Sequence, residues 1–261
     1  MSDVAATAVT SASNPIEASL LAAVERSPLR HQPFDHIYMD RVFDLHSYAG
    51  LISALPDRRY FHELSHHDAM RTDGSSTRLR MYLYPELLWR LPSAQRRAWM
   101  PIARALCSRA LEDAFRCKFR SALQQRFGKR VDKIGLHPVP VLLRDQPGYR
   151  IGIHADASRK AITVQFYLPR DFSQRDLGTI FHDGDSGEAA ARTTQMPFLP
   201  ATGYAFPVAL AKSWHSAAET SESDGERTSM MVTYYVADGP AARLRSLVTR
   251  GGLLLGIHPR V

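Results

Sequence analysis

The chain has 261 residues, 44% of them hydrophobic and 23% charged, and a net charge of +7. That length can bury a sizeable core in one large or two small domains, and the composition is that of a soluble globular protein rather than a fibrous or low-complexity chain. No apolar run reaches the length of a membrane span. The opening MSDVAATAVTSASNP lacks the basic and apolar regions of a secretory signal, so a cytoplasmic location is expected.

Residues 1–15, rich in Ser, Ala and Thr, read as a disordered tail. Ile16–Val24 is a short amphipathic helix candidate. PFDHIYMDRVF (33–43) has β character, LHSYAGLISALP reads as a helix stopped by Pro56, and TRLRMYLYP (77–85) alternates like a strand. MRTDGSSTRLR (70–80) is Gly/Ser-rich and suits a lid. The next segment is expected to be one long helix, started by Ser93 or Pro101 and ended by Gly128, with an apolar stripe from Trp99 to Phe127. Cys107 and Cys117 would then lie roughly 15 Å apart on one helix, too far for a disulfide, which suits a reducing compartment.

Residues 93–130 hold ten Lys/Arg against two acids, Glu112 and Asp113; ten minus two is a surplus of eight. Such a run is either a surface for an acidic partner or the solvated face of an amphipathic helix, and the second is the commoner case.

From about residue 136 the period changes from helical to two. HPVPVLLRD, GYRIGIHAD, AITVQFYLP, GTIFHD, TGYAFPV, KSWHSAAE and RTSMMVTYYV are short strand candidates separated by turn residues such as Gly148, Pro169 and Gly225. Residues 170–200 include a polar stretch expected to be an irregular insertion. The expected fold class is α+β, mainly β: supporting helices first, then a jelly-roll-like sandwich or barrel. The expected division is a tail (1–15), an N-terminal helical support (16–135), a β core (136–240) and a C-terminal extension (241–261), the folded parts forming one integrated domain.

Two segments offer metal ligands. His62-Glu63-Leu64-Ser65-His66 fits H-E-x-x-H, which in zinc hydrolases puts two imidazoles on one helix face with the Glu as general base. That needs a sturdy buried helix, and this segment is short and polar, between Pro56 and the breaker TDGSS. The alternative is His154-Ala155-Asp156. On a strand, residues two apart share a face, so His154 and Asp156 aim together. His215 follows on a later strand candidate, and Arg227 and Ser229 share one face of the last. Two His and one carboxylate form a facial triad suited to non-haem Fe(II), and an Arg beside a hydroxyl suits a carboxylate. On AITVQFYLP, Thr163, Gln165 and Tyr167 share one face, read as facing the site, while Ile162, Val164, Phe166 and Leu168 share the other. Arg144, Tyr149 and Arg150 flank the His154 strand and suit an acidic group.

The order H-x-D (His154, Asp156), distal His (His215), R-x-S (Arg227, Ser229) resembles the 2-oxoglutarate/Fe(II)-dependent oxygenase superfamily over about residues 136–237. The resemblance implies a double-stranded β-helix (jelly-roll, cupin-like) core. It also implies Fe(II) on His154, Asp156 and His215, a 2-oxoglutarate cosubstrate whose distal carboxylate meets Arg227 assisted by Ser229, and O2. Thr163 and Tyr167 are further candidate cosubstrate contacts. Arg227, rather than Lys, follows the distal His, unlike collagen-type prolyl hydroxylases. No second Arg follows it as in nucleic-acid dealkylases, and Asp156 stands where related halogenases carry a small residue. The expected activity is hydroxylation of an unactivated C–H bond of a small molecule, such as an amino acid or a natural-product intermediate. Desaturation, epimerisation or cyclisation would use the same residues. A non-catalytic jelly-roll binding module and the His62/Glu63/His66 zinc hydrolase are the rivals from other classes. No membrane or nucleic-acid partner is expected; whether the substrate is acidic and whether the chain forms a homodimer stay open.

Overall fold

The computed structural model describes residues 14–64, 67–184, 192–237, 248 and 250–254. Most of the expected N-terminal tail, His66, and most of the C-terminal extension lie outside the described residues.

The first described element is helix α1 (Pro15–Arg26), capped by the Asn14 side chain, which accepts from the Ile16 amide. Strand β1 (Ile37–Met39) and helix α2 (Leu45–Ser53) follow, then the two-residue strand β2 (His62–Glu63) and strand β3 (Arg78–Tyr82). The 70–80 segment, expected to suit a lid, contains a hairpin turn. Met70 and Ser76 bridge, Gly74 supplies a positive φ of 83°, and Arg78 and Arg80 already belong to β3.

The expected single helix over 93–128 is three: α3 (Ser93–Leu106), α4 (Arg109–Lys118) and α5 (Arg120–Phe127). The apolar stripe continues across the breaks, which is why periodicity alone reads them as one. Ser108 breaks the run by capping α4, accepting from the Leu111 amide at 3.1 Å. Pro101 lies inside α3 rather than at its start. Cys107 caps α3 and Cys117 sits in α4, and both are free thiols.

Nor is the basic surplus of this region a merely solvated face. Buried Arg116 pairs with Glu112 (2.9 Å) and donates to the carbonyls of Val131 and Ile134. Lys118 donates to the carbonyls of Glu25 and Ser27, tying α4 to α1. Arg126 donates to the carbonyls of Lys160 and Val208 and so ties α5 to the β body. Arg97 and Arg104 stay exposed.

The β body contains β4 (Leu136–Asp145), β5 (Ile151–His154), β6 (Lys160–Tyr167), β7 (Thr179–His182), β8 (Thr193–Gln195), β9 (Thr202–Pro207), β10 (His215–Ala217) and β11 (Arg227–Val236). Strand β8 falls where an irregular insertion was expected; its TTQ sequence has no apolar member to mark it. The strands form a seven-stranded sheet, β1-β9-β6-β11-β4-β3-β2, and a four-stranded sheet, β5-β10-β7-β8. From β4 onward the chain alternates between the two sheets, returning to the large one at β6, β9 and β11. That alternation makes a double-stranded β-helix: two facing sheets rather than a closed barrel.

The large sheet's outer face carries Leu142, Ile162, Val164, Phe166, Met230, Val232 and Tyr234, packed in one cluster with Leu20, Trp99, Ile102, Leu111 and Phe115 of the helices. Its inner face carries Arg78, Asp145, Thr163, Gln165, Tyr167, Arg227 and Ser229. Along each strand these positions are two residues apart, as a pleated strand requires. Among the described residues no helix is long and apolar enough to cross a membrane.

Candidate active site

Antiparallel pairing of β5 with β10 sets His154 directly opposite His215, with ring centroids 4.2 Å apart. Asp156 lies two residues beyond the end of β5, so it reaches the histidines from a turn rather than from within a strand, as alternation alone would have it. Ligand atoms of His154, Asp156 and His215 all fall within 4.8 Å of one another, the one such cluster among the described residues.

The hydrogen bonds orient this set. Nδ1 of His154 lies 3.0 Å from the Gly152 carbonyl, and Nδ1 of His215 lies 3.0 Å from that of Ser213. A carbonyl only accepts, so each Nδ1 is the donor and each Nε2 is the ring nitrogen turned to the cluster. Burial lowers the His215 pKa to about 4, leaving the imidazole neutral at pH 7. Burial opposes ionisation of Asp156. Lys160 and His215, with hydrogen bonds from Lys160 and Thr163, overcome it and bring its pKa to about 2. Thr163 Oγ1 donates to Asp156 Oδ2 at 2.6 Å, and the Lys160 ammonium pairs with Oδ1. The imidazoles of His154 and His215 with one ionised carboxylate fit a divalent first-row metal that keeps further coordination positions free. Asp156 and His215 are buried and His154 is half-buried, so the cluster opens on the His154 side.

A buried polar strip leads inward from Thr163. Gln165 donates to Ser229 (2.7 Å) and accepts from Tyr204 (2.7 Å); Tyr204 accepts from Thr179 (3.1 Å); and the Thr179 amide donates to Tyr167 Oη (3.0 Å). The set Thr163, Gln165 and Tyr167 therefore faces the gap between the sheets, and Ile162, Val164, Phe166 and Leu168 pack outward.

The strip ends at Arg227. Its guanidinium donates to Asp145 Oδ2 through Nε (3.1 Å) and Nη2 (2.8 Å) and to the Leu177 carbonyl through Nη1. Arg78 grips the same carboxylate from the other side, with Nη2 3.1 Å from Oδ2 and Nε on Oδ1. Burial would raise the Asp145 pKa, but Arg78 and Arg227 hold it below the ordinary range.

Of the sequence candidates, then, the structure brings His154, Asp156, His215 and Thr163 together. Ser229 joins the strip, and Tyr167 lies along it with its ring on Phe198 (4.4 Å). Arg227 sits at the far end beside Asp145. Arg144 is turned away, pairing with Glu226 (3.2 Å) and donating to the Pro56 carbonyl, while Arg150 is exposed. His62 and Glu63 are adjacent members of a strand, paired with Arg80 and Leu79, so they project to opposite faces. Among the described residues of this segment, the positions around His62 and Glu63 form a strand rather than the helix that the zinc-hydrolase reading requires. Sequence reasoning missed Asp145, Arg78 and Lys160. The first two face each other through strand register alone, and Lys160 reaches Asp156 around a turn; none of these contacts has a sequence period.

No family model matches the chain, and no curated protein matches it in sequence. Solved structures do. A prolyl-4-hydroxylase from Pseudomonas putida superposes with a TM-score of 0.52 at 11% identity, covering 85% of this chain and all (100%) of that one. A dioxygenase for auxin oxidation from rice superposes with a TM-score of 0.50 at 13% identity, covering 77% of this chain and 73% of that one. At these identities the likeness is one of fold, and the fold is the jelly roll described above.

Proposed function

We propose that the chain is a non-haem Fe(II)/2-oxoglutarate-dependent oxygenase that hydroxylates a C–H bond of a small molecule, with residues 136–240 as its catalytic core. The observation that carries this reading is the convergence of His154, Asp156 and His215 within 4.8 Å inside a jelly-roll fold. Both solved structures named above are, by their descriptions, oxidative enzymes on that fold.

His154, Asp156 and His215 would hold the metal, and Arg227 with Ser229 would receive the distal carboxylate of 2-oxoglutarate. Bound together, Fe(II) and 2-oxoglutarate supply dioxygen activation: one oxygen atom enters the substrate as hydroxyl, the other enters succinate, and CO2 leaves. The protein contributes geometry. Hydrogen bonds to Gly152 and Ser213 fix which nitrogen of each histidine is free. Thr163 fixes one oxygen of Asp156. The strip from Gln165 to Tyr204 and Thr179 lines the interior with satisfied polar groups, a setting that orients a polar ligand. The large apolar residues Phe181, Phe198 and Phe206 keep water from the gap between the sheets.

The test is O2-dependent conversion of 2-oxoglutarate to succinate by the Fe(II)-loaded protein. Turnover is expected in wild type and His62→Ala, and loss in His154→Ala. Turnover that survives His154→Ala would remove the reading.

A further inference from the structure

Arg78 on β3, Asp145 on β4 and Arg227 on β11 lie directly opposite one another across adjacent strands, forming a single cross-strand row. All three are withdrawn from solvent, with side-chain exposures of 14%, 0% and 3%. Asp145 is the carboxylate that the described residues bring into salt-bridge contact with these guanidiniums. The row therefore carries two positive charges and one negative. A buried surplus of one charge is costly unless a counter-ion completes it.

Among the described residues Asp145 alone is paired with both guanidiniums, and the surroundings supply a donor. The Tyr149 ring lies against both guanidiniums, with its centroid 4.1 Å from the Arg78 carbon and 5.3 Å from that of Arg227. Its hydroxyl is buried and has no hydrogen-bond partner among the described residues. Gly148, at a φ of +85°, turns the chain so that Tyr149 folds back over the row, and its amide donates to the Thr220 carbonyl. Two arginine forks, a buried phenol and one unit of positive charge make a site for a single carboxylate.

We propose that Arg78, Asp145 and Arg227 act as one unit that seats the distal carboxylate of the 2-oxo acid, with Arg78 as a second anchoring cation and Asp145 as a positioning residue. This rests on the function proposed above. One bound carboxylate brings the unit to neutrality: two guanidiniums, Asp145 and the ligand. Asp145 fixes the two forks relative to each other, holding Arg227 through Nε and Nη2 on one of its oxygens.

The test is calorimetric binding to the full chain loaded with Mn(II), with 2-oxoglutarate and with 2-oxobutyrate, a 2-oxo acid lacking the second carboxylate. Arg78→Met is expected to weaken 2-oxoglutarate at least about tenfold and leave 2-oxobutyrate unchanged, with Arg78→Lys restoring part of the loss. Asp145→Asn leaves two buried cations without a counter-charge. It should lower the melting temperature of the ligand-free protein, and 2-oxoglutarate should raise that temperature more than it does in wild type. If Arg78→Met binds 2-oxoglutarate as wild type does, or if Asp145→Asn shows no larger ligand-induced shift, the unit is structural and the proposal fails. If wild type binds neither acid, the oxygenase reading itself falls and this proposal with it.

Discussion

The two faces of β6 are equally dry and chemically opposite. Ile162, Val164 and Phe166 are 0% exposed on one face; Thr163, Gln165 and Tyr167 are 4%, 6% and 1% exposed on the other. Burial alone thus does not distinguish core from site here. The outer face is closed by helices and needs no hydrogen bonds. The inner face closes its hydrogen bonds through Asp156, Ser229, Tyr204 and Thr179, which are costly groups to bury. A fold that only needed stability would have an apolar pair of facing sheets. The polar strip is the surface that the proposed ligand would meet.

Substitutions on the two faces should separate these roles. The largest effect is expected at the inner end: His154→Ala should weaken Fe(II) or Mn(II) binding at least about 100-fold, with little loss of stability because His154 is half-buried. Metal titration with parallel thermal melts would check both parts. Phe166→Ala, on the outer face, should do the reverse. It should cost about 3–5 kcal/mol of stability in denaturant melts while the folded fraction keeps its metal affinity. Gln165→Leu, on the inner face, leaves the Ser229 and Tyr204 hydroxyls without their amide partner. A smaller loss, roughly 1–3 kcal/mol, is expected, together with weaker binding of a polar ligand.

The smallest effect is that of pH. His36 and His215 are both held below the ordinary value of 6.5, chiefly by burial. The unfolded chain therefore takes up their protons first as pH falls. Their contribution to the stability of the metal-free protein is complete above about pH 6.5 and is lost as the pH drops through the folded values. Urea midpoints across pH 4–8 should be flat at the upper end and fall below about 6.5; midpoints that rise on acidification would contradict the assignment.

The same strand explains what was legible in the sequence. The period-two alternation of AITVQFYLP is plain in the residues themselves, and so is the order His154, Asp156, His215, Arg227, Ser229. Each signal lies along the chain. What lay across the chain was not visible. The row Arg78–Asp145–Arg227 depends on the register of three strands, and Arg227 and Arg78 read singly look like surface charges. The breaks at Ser108 and Phe119 were hidden because the apolar stripe runs through both. The basic surplus of 93–130 was legible as charge but not as structure. Whether an arginine meets solvent or clips a carbonyl, as Arg116 and Arg126 do, depends on segments distant in sequence.

The central claim is that His154, Asp156 and His215, not the His62 segment, hold Fe(II) with 2-oxoglutarate beside it. Its most direct test is an anaerobic titration of metal-free protein with Fe(II) and 2-oxoglutarate, following the weak visible metal-to-ligand charge-transfer band of a chelated 2-oxo acid. The band is predicted to form in wild type and in His62→Ala and to be absent in His154→Ala. A band that survives His154→Ala, or metal binding that disappears with His62→Ala, would contradict the account.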